Sequence, residues 1–69
     1  MDTLKDKFFS IYAEVFDEKG NPKACGRRKC AELIALCYQV DGKNDFGNIQ
    51  TGIMNVSNII SLKEKLSQN

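Results

Sequence analysis

The sequence predicts an all-α fold: a small three-helix domain with an ordered, partly extended connection before the last helix. Three observations lead there. Apolar side chains recur every three to four positions in three separate stretches. Clusters of Gly, Asn, Asp and Pro punctuate the chain between them, at 17–22 and 41–47. The chain has 69 residues, 42% of them hydrophobic and 28% charged, which fits one domain spanning 1–69 and excludes collagen, low-complexity disorder and a disulfide-dense scaffold. So short a chain buries only about three-fifths of the surface its unfolded form exposes, so its margin of stability is thin.

The first helix is expected over 3–16. Leu4, Phe8, Ile11, Tyr12 and Val15 fall at i, i+4, i+7, i+8 and i+11, which is one face of an amphipathic helix. Asp2 or Thr3 supplies the cap, and Asp6, three residues after Thr3, approximates a capping box. The run Asp17-Glu18-Lys19-Gly20-Asn21-Pro22 ends it. Asn21-Pro22 also reads as a start signal, because Asn caps free N–H groups and Pro at the first helical position gives up a hydrogen bond that was absent anyway. The second helix is therefore expected over 22–39. From Ala31 to Val40 it is apolar nearly all round, apart from Glu32 and Gln39, so it needs cover on more than one side and belongs in the middle of the fold. Gly26 and Cys30 share a face with Leu33 and Cys37, a stripe that lets another helix approach closely.

Turn chemistry marks 41–47 as a loop. The connection at 43–54 contains an uncharged run, Asn48 to Met54, that suits an extended strand, but the chain offers no clear pairing partner for it. Asn55 then caps a third helix over 55–67, with Val56, Ile59, Ile60, Leu62 and Leu66 inward, and Lys63 and Lys65 near the negative end of its dipole.

Ten Lys/Arg against nine Asp/Glu give a net charge of +1, so no global field draws the chain to nucleic acid or membrane. The absence of histidine removes the commonest general base and the commonest zinc ligand together. Catalysis, a cofactor and a small-molecule substrate are not expected. The charged start from Met1 to Lys7 is not followed by the apolar stretch of a secretory signal, and the apolar run Leu33–Tyr38 is far too short to span a bilayer. A cytoplasmic location follows as the expectation, with reduced thiols. Cys25, Cys30 and Cys37 form a C-x4-C-x6-C pattern that lacks a fourth thiol or imidazole, so no metal site is expected. Asp41, Asn44 and Asp45 fail as a calcium loop, since Lys43 and Phe46 occupy the positions that need an oxygen donor and a glycine.

Three local features carry functional expectations. Lys23, Arg27, Arg28 and Lys29 place four cations in seven residues with no acid between Glu18 and Glu32. If the helix starts at Pro22 they form a solvated face; if it starts near Gly26 they crowd its positive end and favour a phosphate or nucleic-acid partner. Cys25, beside those cations, is a candidate reactive thiol of the sensing kind. Phe9, Phe16, Phe46, Ile49 and Met54 are candidate partner-binding residues, and together with Ile53 they form an apolar surplus that a domain this small has trouble burying. The segment 46–54 either folds back as a lid over the helices or forms an interface. The leading expectation is a protein-interaction module that binds a partner or itself through an apolar helical face, and the alternative is a nucleic-acid or phosphate-binding helical domain.

Overall fold

The computed structural model of the chain describes residues 3–23 and 26–68. The elements run α1 (Leu4–Val15), α2 (Arg27–Asp41), β1 (Gly47–Asn48), β2 (Ile53–Met54) and α3 (Val56–Ser67). Three helices carry most of the chain, as expected, and a small two-stranded sheet joins them.

Helix α1 starts on the capping box expected of Thr3 and Asp6. The Thr3 hydroxyl accepts from the Asp6 N–H at 3.1 Å, and the Asp6 carboxylate accepts from the Thr3 N–H at 3.3 Å. Phe8, Tyr12 and Val15 are buried on its inner face, with Phe16 just beyond its end. The rings of Tyr12 and Phe16 stack at 4.7 Å between centroids. Leu4, expected inward, instead stands half-exposed at the open end of the helix.

Helix α2 begins at Arg27 rather than at Pro22, a correction with a clear local cause. The Asp17 carboxylate accepts from the N–H groups of Lys19 and Asn21, both at 2.9 Å, and the Asp17 N–H donates to the Asn21 carbonyl at 2.9 Å. Asn21 is thus committed to a closed turn centred on Asp17 and does not cap a helix. Beyond it Pro22 bridges Phe16 in antiparallel fashion, and the Lys23 N–H donates to the Val15 carbonyl at 2.6 Å. The chain returns along the end of α1 before α2 starts. At its other end α2 runs to Asp41, where Gly42 at φ 76° stops it with its N–H on the Tyr38 carbonyl.

The extended segment finds its pairing partner within itself. Gly47 pairs with Met54 and Asn48 with Ile53, and the Asn55 N–H donates to the Phe46 carbonyl at 2.9 Å. Asn48 builds the turn: its side-chain oxygen accepts from the N–H groups of Gln50 and Thr51 at 2.9 and 3.1 Å. Asn55 caps α3 as expected, accepting from the Asn58 N–H at 3.4 Å. Asn58 in turn donates from its side chain to the Asp45 carbonyl at 2.7 Å, tying the preceding loop to α3.

Helix α2 touches α1, both strands and α3, the central position its all-round apolar sequence demands. Leu33, Ile34 and Cys37 of α2 are buried in one core with Phe8, Val15, Phe46, Ile59 and Leu62. The close approach to α2 comes from the hairpin and not at Gly26, around which a side chain would meet open space. A Cβ on Gly47, at φ 135°, would collide with the Ile53 carbonyl oxygen and come within 2.9 Å of the Ile34 Cδ1. Gly47→Ala is therefore expected to cost about 2 kcal/mol, through backbone strain and a lost fit, and to lower Tm by about 8–16 °C in a thermal melt. A melt unchanged by that substitution would contradict this backbone geometry at Gly47, both within the hairpin and against Ile34.

Candidate functional site

The start of α2 decides how the four cations are used. Arg27, Arg28 and Lys29 occupy its first turn, no acid shares that turn, and the cap residue Gly26 has no side chain to bond the free N–H groups. Cations at the positive end of a helix cost about 0.3–1 kcal/mol each when exposed. Two of the four cations have internal partners. The Lys23 ammonium donates to the Ala13 carbonyl at 2.8 Å, and Lys29 lies 3.5 Å from Glu14 and 3.9 Å from Glu32. Arg27 and Arg28 are exposed and form no ion pair among the described residues. The cluster therefore divides into a structural half and an unpaired half.

The expected partner-binding residues also divide. Phe16 and Phe46, only 2% and 4% exposed, are core residues and cannot meet a partner. Phe9 and Met54 are half-buried against the same core. Ile49 is 50% exposed at the hairpin turn, and Ile53, part of the apolar surplus but not among the named partner-binding candidates, is 69% exposed. Strand alternation explains the difference. Gly47 and Met54 form the pair that faces α2, so the neighbouring pair, Asn48 and Ile53, points outward. The segment 46–54 is thus a lid on one face and an open apolar surface on the other. Tyr38 is also half-exposed. It stands eleven positions after Arg27, so the two share a face of α2, a helical register that the sequence contains.

The hairpin brings these two unpaired features together. A Cβ on Gly52 would collide with the Arg27 Cγ and lie 2.8 Å from the Arg27 carbonyl oxygen. The turn that carries Ile49 therefore rests directly on the first turn of α2. Residues 46–62 contain no ionisable side chain, so the charge at this edge of the hairpin comes from α2.

Other features offer less. A groove of about 580 Å³ between α1 and α2 is lined by Leu4, Ile11 and Leu36 among mixed charges. A second, of about 600 Å³, runs past Tyr12 and the Asp17 turn to Ile60. There burial first, then Glu64 and Asp17, raises the Tyr12 phenol above its ordinary pKa. Cys30 and Cys37 are buried two turns apart on α2, about 10 Å along its axis and beyond disulfide reach. Burial first, then the Asp41 carboxylate, pushes the Cys37 thiol up to about 12. Cys25 lies outside the described residues, and with it the expectation of a reactive thiol. Among the described residues no group of three or more Cys, Asp and Glu is placed to hold a metal ion, and no helix is long and apolar enough to cross a membrane.

Comparison with protein-family models, curated proteins and solved structures found no match to this chain.

Two outcomes follow from this geometry. Gly26→Asp supplies both the missing cap and the missing negative charge, and is expected to stabilise the fold by about 0.5–1 kcal/mol, raising Tm by about 2–8 °C. An unchanged or lowered Tm would contradict the start of α2 at Arg27. The Cys37 thiol, its pKa raised in the folded state, is expected to resist alkylation at neutral pH until the protein unfolds. Its contribution to stability is complete below the ordinary thiol value of 9.0 and is lost as pH rises toward about 12. Denaturant midpoints measured across that range check the sign, and ready alkylation of the native protein at Cys37 would refute it.

Proposed function

We propose that this chain is a small, cytoplasmic, non-catalytic interaction module that binds a protein partner or a second copy through an apolar surface, with the hairpin as its centre. The observation that supports this most directly is the two-faced hairpin. Its inner pair completes the core, while Ile49 and Ile53 stand in solvent with nothing in the fold requiring them to be apolar. Ile49 and Ile53 are 50% and 69% exposed, so burying both in an interface gains about 2–3.5 kcal/mol in total. That is less than association costs in lost freedom, and the hairpin alone supports at most weak binding. Neighbouring groups must supply the remainder.

A second reading, phosphate or nucleic-acid contact through Lys23, Arg27, Arg28 and Lys29, draws on the start of α2 at Arg27, with its uncapped N–H groups. It is the weaker reading. Lys23 and Lys29 are held by Ala13, Glu14 and Glu32, and two carboxylates lie within the patch. Two remaining cations would give a salt slope of only about −2 on logarithmic axes, too little for useful non-specific affinity at physiological salt.

Random-peptide selection on the folded protein tests the leading reading, with Ile49→Ser/Ile53→Ser as the comparison. Both side chains are exposed, so the double variant is expected to keep its stability within about 0.5 kcal/mol per site. It is also expected to lose at least about tenfold in affinity for the selected peptides. Selected peptides that bind both proteins equally, or serine substitutions as damaging to stability as a core truncation, would overturn the reading.

A further inference from the structure

From the charge around the hairpin we infer the class of its partner: an acidic peptide segment of another protein, with an apolar side chain set on Ile49 and Ile53 and carboxylates against Arg27 and Arg28. This inference rests on the interaction reading above and names the partner that reading leaves open. The Gly52 turn lies against the main chain of Arg27, so the apolar and cationic groups share one edge of the molecule. The hairpin contributes no charge of its own, since 46–62 contains no ionisable residue. Arg27 and Arg28 have no carboxylate partner among the described residues, whereas Lys29 has Glu14 and Glu32. A carboxylate arriving at this edge meets the Arg27 guanidinium and the positive end of α2, with Arg28 on the same helical turn, and it relieves a repulsion the free protein carries.

The same charges argue against a second copy as the occupant. A two-fold interface centred on the hairpin sets identical patches face to face, so Arg27 and Arg28 would meet their own counterparts with no acid between them. Nucleic acid fits poorly as well. Ile49 and Ile53 offer bases no aromatic platform, the exposed Tyr38 on the Arg27 face stands about 16 Å further along α2, and exposed isoleucines gain nothing beside phosphates.

The test is an amide-resolved NMR titration with three synthetic peptides that share the same leucine and phenylalanine positions, flanked by glutamate, serine or lysine. The glutamate peptide is expected to bind with a Kd of about 0.1–1 mM and to shift the signals of residues 27–28 and 48–53. Binding is expected to weaken as salt rises. Arg27→Glu with Arg28→Glu is expected to keep its fold, since acids suit the first turn of a helix, and to transfer the preference to the lysine peptide by about five- to tenfold. If the serine or lysine peptide binds the native hairpin as tightly, the charge assignment is wrong while the interaction reading survives. If all three peptides leave 48–53 unshifted, the interaction reading falls with it. Glutamate-only peptide binding as tightly as the apolar version, short duplex DNA binding more tightly, or a sedimentation mass that doubles with concentration would each overturn the proposed occupant.

Discussion

Helix α2 has more apolar surface than two short helices can cover, and the rest of the architecture answers that demand. Leu33, Ile34 and Cys37 are buried, and Cys30 and Leu36 nearly so, which covers much of the helix circumference. Helix α1 supplies Phe8, Val15 and the adjoining Phe16, and α3 supplies Ile59 and Leu62. The hairpin covers a further side of α2, with Phe46 and Met54 packed on the core and Gly47 allowing the backbone to approach Ile34, while Glu32, Tyr38 and Gln39 stay exposed. A glycine serves there because a side chain would fill the space the contact uses. Burial of this helix is the large favourable term for a chain whose small size leaves little surplus.

That closure has a consequence for function. A two-stranded lid of this kind has two faces, and only one of them can be used by the core. The outer face presents Ile49 and Ile53, and the turn that carries them presses on the first turn of α2. The Asp17 turn matters equally, at a distance. By holding Asn21 inside a closed loop and running Pro22–Lys23 back along α1, it delays the start of α2 until Arg27. Arginines that would have lain along a helix flank instead stand at its positive end, beside the hairpin. Packing and turn chemistry together set the unpaired Arg27 beside unburied apolar side chains of the hairpin.

Much of the fold was legible in the chain. Periodicity located all three helices, the Thr3–Asp6 box and the Asn55 cap marked two starts, and the apolar run after Ala31 placed α2 at the centre. The start of α2 was misread because Asn21-Pro22 is a valid cap signal and an equally valid turn signal. The choice between them rested on Asp17, whose carboxylate closes the turn through two N–H groups. The hairpin was legible only as an extended run, since strands of two residues are too short to show alternation. Without that register, Ile53 could not be recognised as outward. Phe46, a bend residue just before β1, is buried by the course of the loop and not by any strand pattern, so it was grouped with the surface. The cations were recognised as a cluster. Their division into paired and unpaired halves depends on Glu14 and Ala13 from another helix, which no local pattern encodes.

Native-state hydrogen exchange across α2 tests the central claim most directly. If the Leu33–Cys37 stretch of this helix is sealed into the core by its neighbours, the amides of residues 33–37 exchange only through global unfolding, with an opening free energy equal to that from denaturant melts. If those amides instead exchange with much smaller opening energies, like those of a frayed surface helix, α2 is not the enclosed centre of the fold and the arrangement of hairpin and arginines built upon it fails.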